Sequence, residues 1–273
     1  MISKSLTATI LKWFLGSLTA IITLWLLGSL YLSGQASSLV FNNQASWGSV
    51  PKSPSLVYNL EWNQVSVNNK TANYSIWNLS NPRSDQYLIY LHGNAGRLLN
   101  FFPYLTQSYN VISPAYPGYS ESEGAPNVDN VYATALATYD WLTAKGIPEN
   151  KITIFGHSMG GSPATYLAKS KPQAKQLVLV NTFSSVQSMC IRSYGPLCIF
   201  TGDIFNSERN AREVTIPVRQ FAYPEDTTVP FGEGRKLFQA FKSTEKKFIE
   251  LNNKGQTHSY PDFDTIVKEV AKI

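Results

Sequence analysis

Residues 152–161 read Ile-Thr-Ile-Phe-Gly-His-Ser-Met-Gly-Gly, a β-branched and aromatic run entering Gly-x-Ser-x-Gly, followed by small residues and a helical pattern. A serine carried at the tip of so tight a strand-to-helix turn needs small neighbours. A Cβ at Gly156 or Gly160 would meet the adjoining backbone. The turn is strained, and such strain gathers at functional sites. The helix behind it aims free N–H groups and the positive end of its dipole at any anion forming beside Ser158. The motif in this context is a nucleophile elbow.

The surrounding chain alternates between strand and helix. Strands are expected at 87–91, 110–113, 151–155, 176–180, 217–221 and 247–251. Helices are expected at 98–107, 128–145, 162–170, 232–241 and 262–273, with Gly146 and Pro148 stopping the second. Short, continuously apolar strands separated by helices imply a mostly parallel sheet covered on both faces, with ligands at the carboxyl ends of the strands. Runs at 60–67 and 71–79, joined by a turn at 68–70, add an antiparallel hairpin at a sheet edge. The predicted fold class is therefore α/β.

The N-terminus is different in kind. Residues 13–32 carry no charged side chain and are long enough to cross a bilayer core. Trp13 and Tyr31 flank the run. Lys4 and Lys12 precede it, and no further positive charge occurs before Lys52. The expected layout is a cytoplasmic tail (1–12), a transmembrane signal anchor (13–32), a Ser/Asn/Gln/Gly-rich linker (33–54) and an extracytoplasmic domain (55–273). The alternative is a secreted protein cleaved near Ala36, after Gly34-Gln35. The net charge of +5 is scattered, with no basic run and no nucleic-acid motif, so no nucleic-acid partner is expected.

A serine hydroxyl needs a base, and the base needs an orienting acid. The chain has three histidines. His157 lies inside the elbow, where its side chain is expected to point away from Ser158. His92 follows the 87–91 strand and is expected to brace its loop. His258, between the last strand and the last helix, is the candidate general base. The candidate acid is Asp226, after the 217–221 strand, with Glu225 as fallback and a helix N-cap as Asp226's structural alternative. The oxyanion donors are expected at the backbone N–H groups of Met159 and Asn94, with Ala95 as alternative to the second. Residues 182–213 hold Met189, Ile191, Leu197 and Phe200, which are either an acyl-binding wall or plain packing. Cys190 and Cys198 are either one local disulfide or two buried thiols. No metal is expected, because the histidines lack ligand spacing.

Together, 91–96 (Leu-His-Gly-Asn-Ala-Gly), 116–124 (Tyr-Pro-Gly-Tyr-Ser-Glu-Ser-Glu-Gly), 156–161, 217–230 and His258 resemble the α/β-hydrolases. They are most similar to the compact, short-lid group that includes membrane-associated lipid and protein-thioester hydrolases. The resemblance covers roughly residues 60–273. It implies an α/β-hydrolase fold, a Ser158–Asp226–His258 triad, a short lid at about 182–213, and hydrolysis of ester or thioester bonds of a small-molecule or lipid acyl substrate without a cofactor. The chain departs from the family pattern at Ala115 (often Asp), Ser120 (usually Gly), Ala222-Tyr223 (normally His-Gly) and Thr257 (usually Gly). These departures keep a catalytically silent binding protein in view. An aminopeptidase-type hydrolase is a further alternative.

Overall fold

The computed structural model describes residues 4–41, 58–67, 70–94, 101–202, 204–252, 258 and 261–272. Eight strands form one sheet: β1 (Tyr58–Val67), β2 (Lys70–Leu79), β3 (Tyr87–Leu91), β4 (Asn110–Pro114), β5 (Ile152–His157), β6 (Gln176–Val180), β7 (Val218–Ala222) and β8 (Lys246–Glu250). Their order is β1-β2-β4-β3-β5-β6-β7-β8. The β1–β2 hairpin is antiparallel, running from Tyr58 opposite Leu79 to Val67 opposite Lys70, and β2 joins β4 antiparallel. Every pairing from β4 to β8 is parallel. This is the α/β-hydrolase fold.

Side-chain alternation along the strands divides the core between two faces. Ile89 and Leu91 of β3 and Ile154 of β5 point to one face. There they meet α3 (Val128–Ala144), α4 (Gly161–Ser170), α6 (Ser207–Ala211) and α7 (Phe231–Ala240). Leu88, Tyr90 and Phe155 point to the other, where α2 (Phe102–Leu105) and α8 (Phe263–Val270) cover them. Helix α3 begins at Asn127, whose side chain accepts the Asn130 N–H at 2.8 Å. It ends before Gly146, which takes φ +85° as a helix-terminating glycine does.

Two expectations need correction. Of the expected 98–107 helix, residues 98–100 lie outside the described residues, and α2 is seen over Phe102–Leu105 with Thr106 as its C-cap, whose hydroxyl donates to the Phe102 carbonyl. The linker does not start at residue 33. Helix α1 runs from Lys4 to Val40 as one 37-residue element. Its stretch Thr9–Ala36 is long and apolar enough to cross a membrane. Of the residues read as a tether, Ser33 and Ala36 continue the packing side of the helix that Ser29 of the anchor begins. Ser29 and Ala36 are buried, and Phe41 enters the core edge-on to Phe205 at 5.4 Å. The 68–69 turn, residues 42–57, Ala95 and Thr257 lie outside the described residues.

The lid follows β6. It contains α5 (Val186–Tyr194), a 3₁₀ turn at Gly195–Cys198 and α6. Cys190 and Cys198 are disulfide-bonded, with Cα atoms 5.7 Å apart. The base of the lid is pinned by the buried Glu233 of α7, whose carboxylate accepts the hydroxyls of Ser184 and Ser188 and the Ser184 N–H.

The elbow depends on close backbone approach. A Cβ at Gly160 would stand 2.0 Å from the Leu91 carbonyl oxygen, and one at Gly161 would stand 1.9 Å from Thr182 Oγ1. In contrast, nothing lies within 4 Å of that position at Gly232, on α7. Gly160→Ala is expected to destabilise the fold by about 3 kcal/mol or more. Gly232→Ala is expected to be neutral or to stabilise by up to ~1 kcal/mol. Urea unfolding of the two variants measures the contrast.

Candidate active site

Ser158 closes β5 with φ +54°, a conformation that side-chain-bearing residues seldom adopt. The backbone around it is held from two sides. Thr182, just after β6, donates its hydroxyl to the Ser158 carbonyl at 2.9 Å. On the β3 side, Gly93 lies so close that a Cβ there would come within 3.1 Å of Ser158 Cβ. The chain leaving β3 therefore passes directly beside the serine at Gly93.

His258 comes back over the sheet. Its Nε2 lies 2.8 Å from Ser158 Oγ, and its Nδ1 lies 2.7 Å from Asp226 Oδ2. The carboxylate only accepts, so the ring carries its proton on Nδ1. Nε2 is then left as acceptor for the serine hydroxyl. Both side chains are shielded, with 12% of His258 and 1% of Asp226 exposed. The other oxygen of Asp226 accepts the N–H groups of Thr228 and Val229 at 2.8 and 2.9 Å. The helix-cap role read for Asp226 does not hold: α7 has Pro230 at its N-cap with no side-chain cap, and this oxygen instead closes the Thr228–Val229 turn ahead of the helix while Oδ2 takes the histidine. Glu225, the fallback acid, is exposed.

The remaining histidines are structural in geometry. His92 is buried and stacks on Tyr116 at 3.9 Å, and its Nδ1 donates to the Gly93 carbonyl at 2.7 Å. His157 points away from Ser158, but it is not idle. Its Nε2–H donates to the backbone carbonyl of His258 at 2.8 Å, and Asn181 adds a longer contact of 3.5 Å to the same oxygen. Burial lowers the pKa of each of these histidines to about 3, so both stay neutral in the folded chain.

Of the expected oxyanion residues, Met159 is buried under the elbow and Asn94 sits at the turn after β3. The Asn94 side chain is fixed by Tyr119, whose hydroxyl donates to Oδ1 at 2.9 Å. Among the lid residues, Met189 packs against the core, while Ile191 lines an open groove of ≈ 500 Å³ with Ser188, Arg212 and Lys236. None of Ser158, Asp226 and His258 lines that groove. Leu197 and Phe200 lie against α1.

Several contributors were not found by reading the sequence. Thr182, Tyr119, Asn181 and the carbonyl-holding role of His157 depend on partners 24 to 101 residues away. Two of the departures have local counterparts in the structure. Ser120 takes φ +50°, the reason a glycine suits that position. The Tyr223 hydroxyl accepts the Asp262 N–H at 2.6 Å, bracing the start of α8 beyond His258.

An unfolded histidine titrates near 6.5, whereas His92 and His157 reach about 3 when folded. Between these values the unfolded chain binds more protons than the folded one, so stability rises with pH across that window. The melting temperature is expected to fall as pH drops below about 6.5. His157→Gln is expected to flatten that slope, and calorimetric scans from pH 7 to 4 measure it.

Residues 86–192 match a family model described as alpha/beta hydrolase fold. Protein bem46 of Schizosaccharomyces pombe is 28% identical over 220 residues, covering 75% of this chain and 71% of that protein. The lysophosphatidylserine lipase ABHD12 of Macaca fascicularis is 26% identical over 224 residues, covering 68% of this chain and 56% of the relative. The chain thus spans about half the length of that lipase. Among solved structures, the esterase Pf2001 of Pyrococcus furiosus superposes with a TM-score of 0.63 at 18% identity, covering 82% of this chain and 93% of that one. Est1E of Butyrivibrio proteoclasticus superposes at 0.58 and 16% identity, covering 77% and 96%. At these identities the structural likeness shows fold alone. The chain is an α/β-hydrolase-fold protein, similar in sequence to bem46 and to the lysophosphatidylserine lipase ABHD12.

Proposed function

We propose that this chain is a serine hydrolase, held at a membrane by α1, that cleaves carboxylic ester or thioester bonds of lipid-type acyl substrates. The observation that carries the reading is the continuous relay Ser158 Oγ–His258–Asp226, with links of 2.8 and 2.7 Å. Sequence similarity to a lysophosphatidylserine lipase supports a lipid ester as substrate.

In this mechanism His258 Nε2 takes the Ser158 proton as Oγ attacks the acyl carbonyl. Asp226 stabilises the imidazolium that forms. The backbone N–H of Met159, at the start of the elbow helix, and that of Asn94 receive the developing oxyanion. His258 then protonates the leaving alcohol or thiol as the tetrahedral intermediate collapses to the acyl-enzyme. Water attacks the ester carbon while His258 accepts its proton, and the acid is released with Ser158 restored. His157 and Asn181 act through the backbone of His258 and are positioning residues. The positive-inside bias of Lys4 and Lys12 orients the N-terminus to the cytoplasm and the hydrolase domain to the far side.

Ser158→Ala is expected to abolish turnover of p-nitrophenyl esters and labelling by a fluorophosphonate probe, with an unchanged melting temperature. Asp226→Asn is expected to lower kcat by on the order of 10⁴-fold. Steady-state kinetics on both variants test the assignment. Turnover surviving Ser158→Ala would overturn the mechanism, and an unlabelled wild-type chain would favour a silent binding protein.

A further inference from the structure

We infer that the tip of the lid, Ser193–Gly202, is a second membrane-contacting element that lies in the lipid leaflet beside the end of α1. The inference rests on the reading of α1 as a membrane anchor. It goes further in tying the lid of the hydrolase domain to the bilayer itself.

The tip is apolar outward. No charged residue occurs from Ser193 to Gly202. Tyr194, Ile199 and Phe200 are 56%, 52% and 46% exposed, and Ile191 just before them is 44% exposed. Scattered apolar residues on a surface mean little, but a group gathered about one short turn between α5 and α6 calls for a partner.

The tip also lies against the apolar helix. The Phe200 ring meets Trp25 at 5.8 Å. Leu197 Cδ2 approaches Gly28 so closely that a Cβ there would be 3.4 Å away. Ser33 donates its hydroxyl to the Phe200 carbonyl at 2.6 Å. These contacts set the depth. A hydrocarbon core takes about 20 residues of helix. Begun at Thr9, the first residue of the apolar stretch, it ends at Gly28; begun at Trp13, it ends at Leu32. The contact between Trp25 and Phe200 falls inside the core in either placement. In the second it lies about 10 Å along the helix from the boundary.

Four carbonyls at the turn of the tip have partners suited to such surroundings. In hydrocarbon no water satisfies a carbonyl, so each needs an internal donor. The carbonyl of Pro196 accepts the Ile199 N–H, and that of Cys198 accepts the N–H and hydroxyl of Thr201. The carbonyl of Ile199 accepts from Gln187 Nε2 at 2.9 Å, and that of Phe200 accepts from Ser33. The Cys190–Cys198 bond ties the turn to α5. The first lid residue, Thr182, holds the Ser158 carbonyl. One end of this segment therefore touches the candidate nucleophile and its tip touches lipid, which fits a substrate taken from the bilayer rather than from water.

The test uses the full chain reconstituted in phosphatidylcholine vesicles containing a phospholipid with a mid-chain diazirine. After photolysis, peptides are mapped by mass spectrometry. Label is expected on the 13–32 region and on the lid tip, but not around Trp62, an exposed aromatic residue on edge strand β1. Label on the helix without the lid tip would overturn this inference alone. Absence of label from both would overturn the anchor reading with it. A Tyr194→Asp, Ile199→Asp double variant changes only exposed positions. It is expected to lose the lid label and to lower turnover of a vesicle-embedded long-chain ester by about tenfold or more. Its turnover of a soluble short-chain p-nitrophenyl ester should stay within about twofold, since neither residue belongs to the catalytic relay. Equal turnover of the vesicle substrate by variant and wild type would overturn the inference, whatever becomes of the chemistry assigned to Ser158.

Discussion

The contact on which the rest of the site depends is the meeting of two backbones, the elbow at Gly160 and the end of β3 at Leu91. They approach so closely that a single carbon on Gly160 would sit 2.0 Å from the Leu91 carbonyl oxygen. That approach brings the loop after β3 alongside Ser158 and puts the N-terminus of α4 behind it. Thr182 clamps the same turn from the β6 side. The serine's φ of +54° is sustained because the strands flanking β5 over-determine the turn.

His258 shows how a loop residue is made as well positioned as one on a strand. Its ring is fixed at both nitrogens, by Ser158 and Asp226. Its backbone carbonyl is fixed separately by His157 and Asn181. The elbow therefore contributes twice, presenting the serine on one side and holding the histidine's main chain on the other. His157 does this as a neutral donor, because burial keeps its proton affinity low. The shared carboxylate of Asp226, with one oxygen on the ring and the other on its own turn, gives the relay a rigid end.

The lid and α1 show a different economy. Gly28, Ser29, Ser33 and Ala36 bring a long apolar helix against the tip of the lid without bulky side chains between them. The lid is thereby braced at both ends, by Glu233 and Thr182 at its base and by α1 at its tip. The part of this stretch beyond residue 32 reads as a tether in sequence, because small polar residues serve close packing and flexibility alike. The helical spacing of the buried ones is what separates the two.

The strand–helix alternation, the edge hairpin and the tight turn at Ser158 were legible in the sequence, and so were Asp226 and His258 as candidates, which the structure brings within hydrogen-bond distance of one another and, through His258, of Ser158. They depend on short-range rules: side-chain periodicity, turn chemistry, and the scarcity of histidines, which left one candidate at a strand's carboxyl end. Helix boundaries within the hydrolase domain fell within a few residues of expectation, whereas α1 runs from Lys4 to Val40 rather than over 13–32. The chain by itself therefore determined the strands and most of the helices that cover them, but not α5 and α6 of the lid, and it singled out the candidate residues. The tertiary structure decided the rest: that residues 33–40 continue α1, that Leu197 and Phe200 face that helix, that Tyr119 and Thr182 hold the site, and that His157 grips the loop of its neighbour. Each of these depends on a partner far away in sequence, and local periodicity carries no information about which distant surface a side chain will meet.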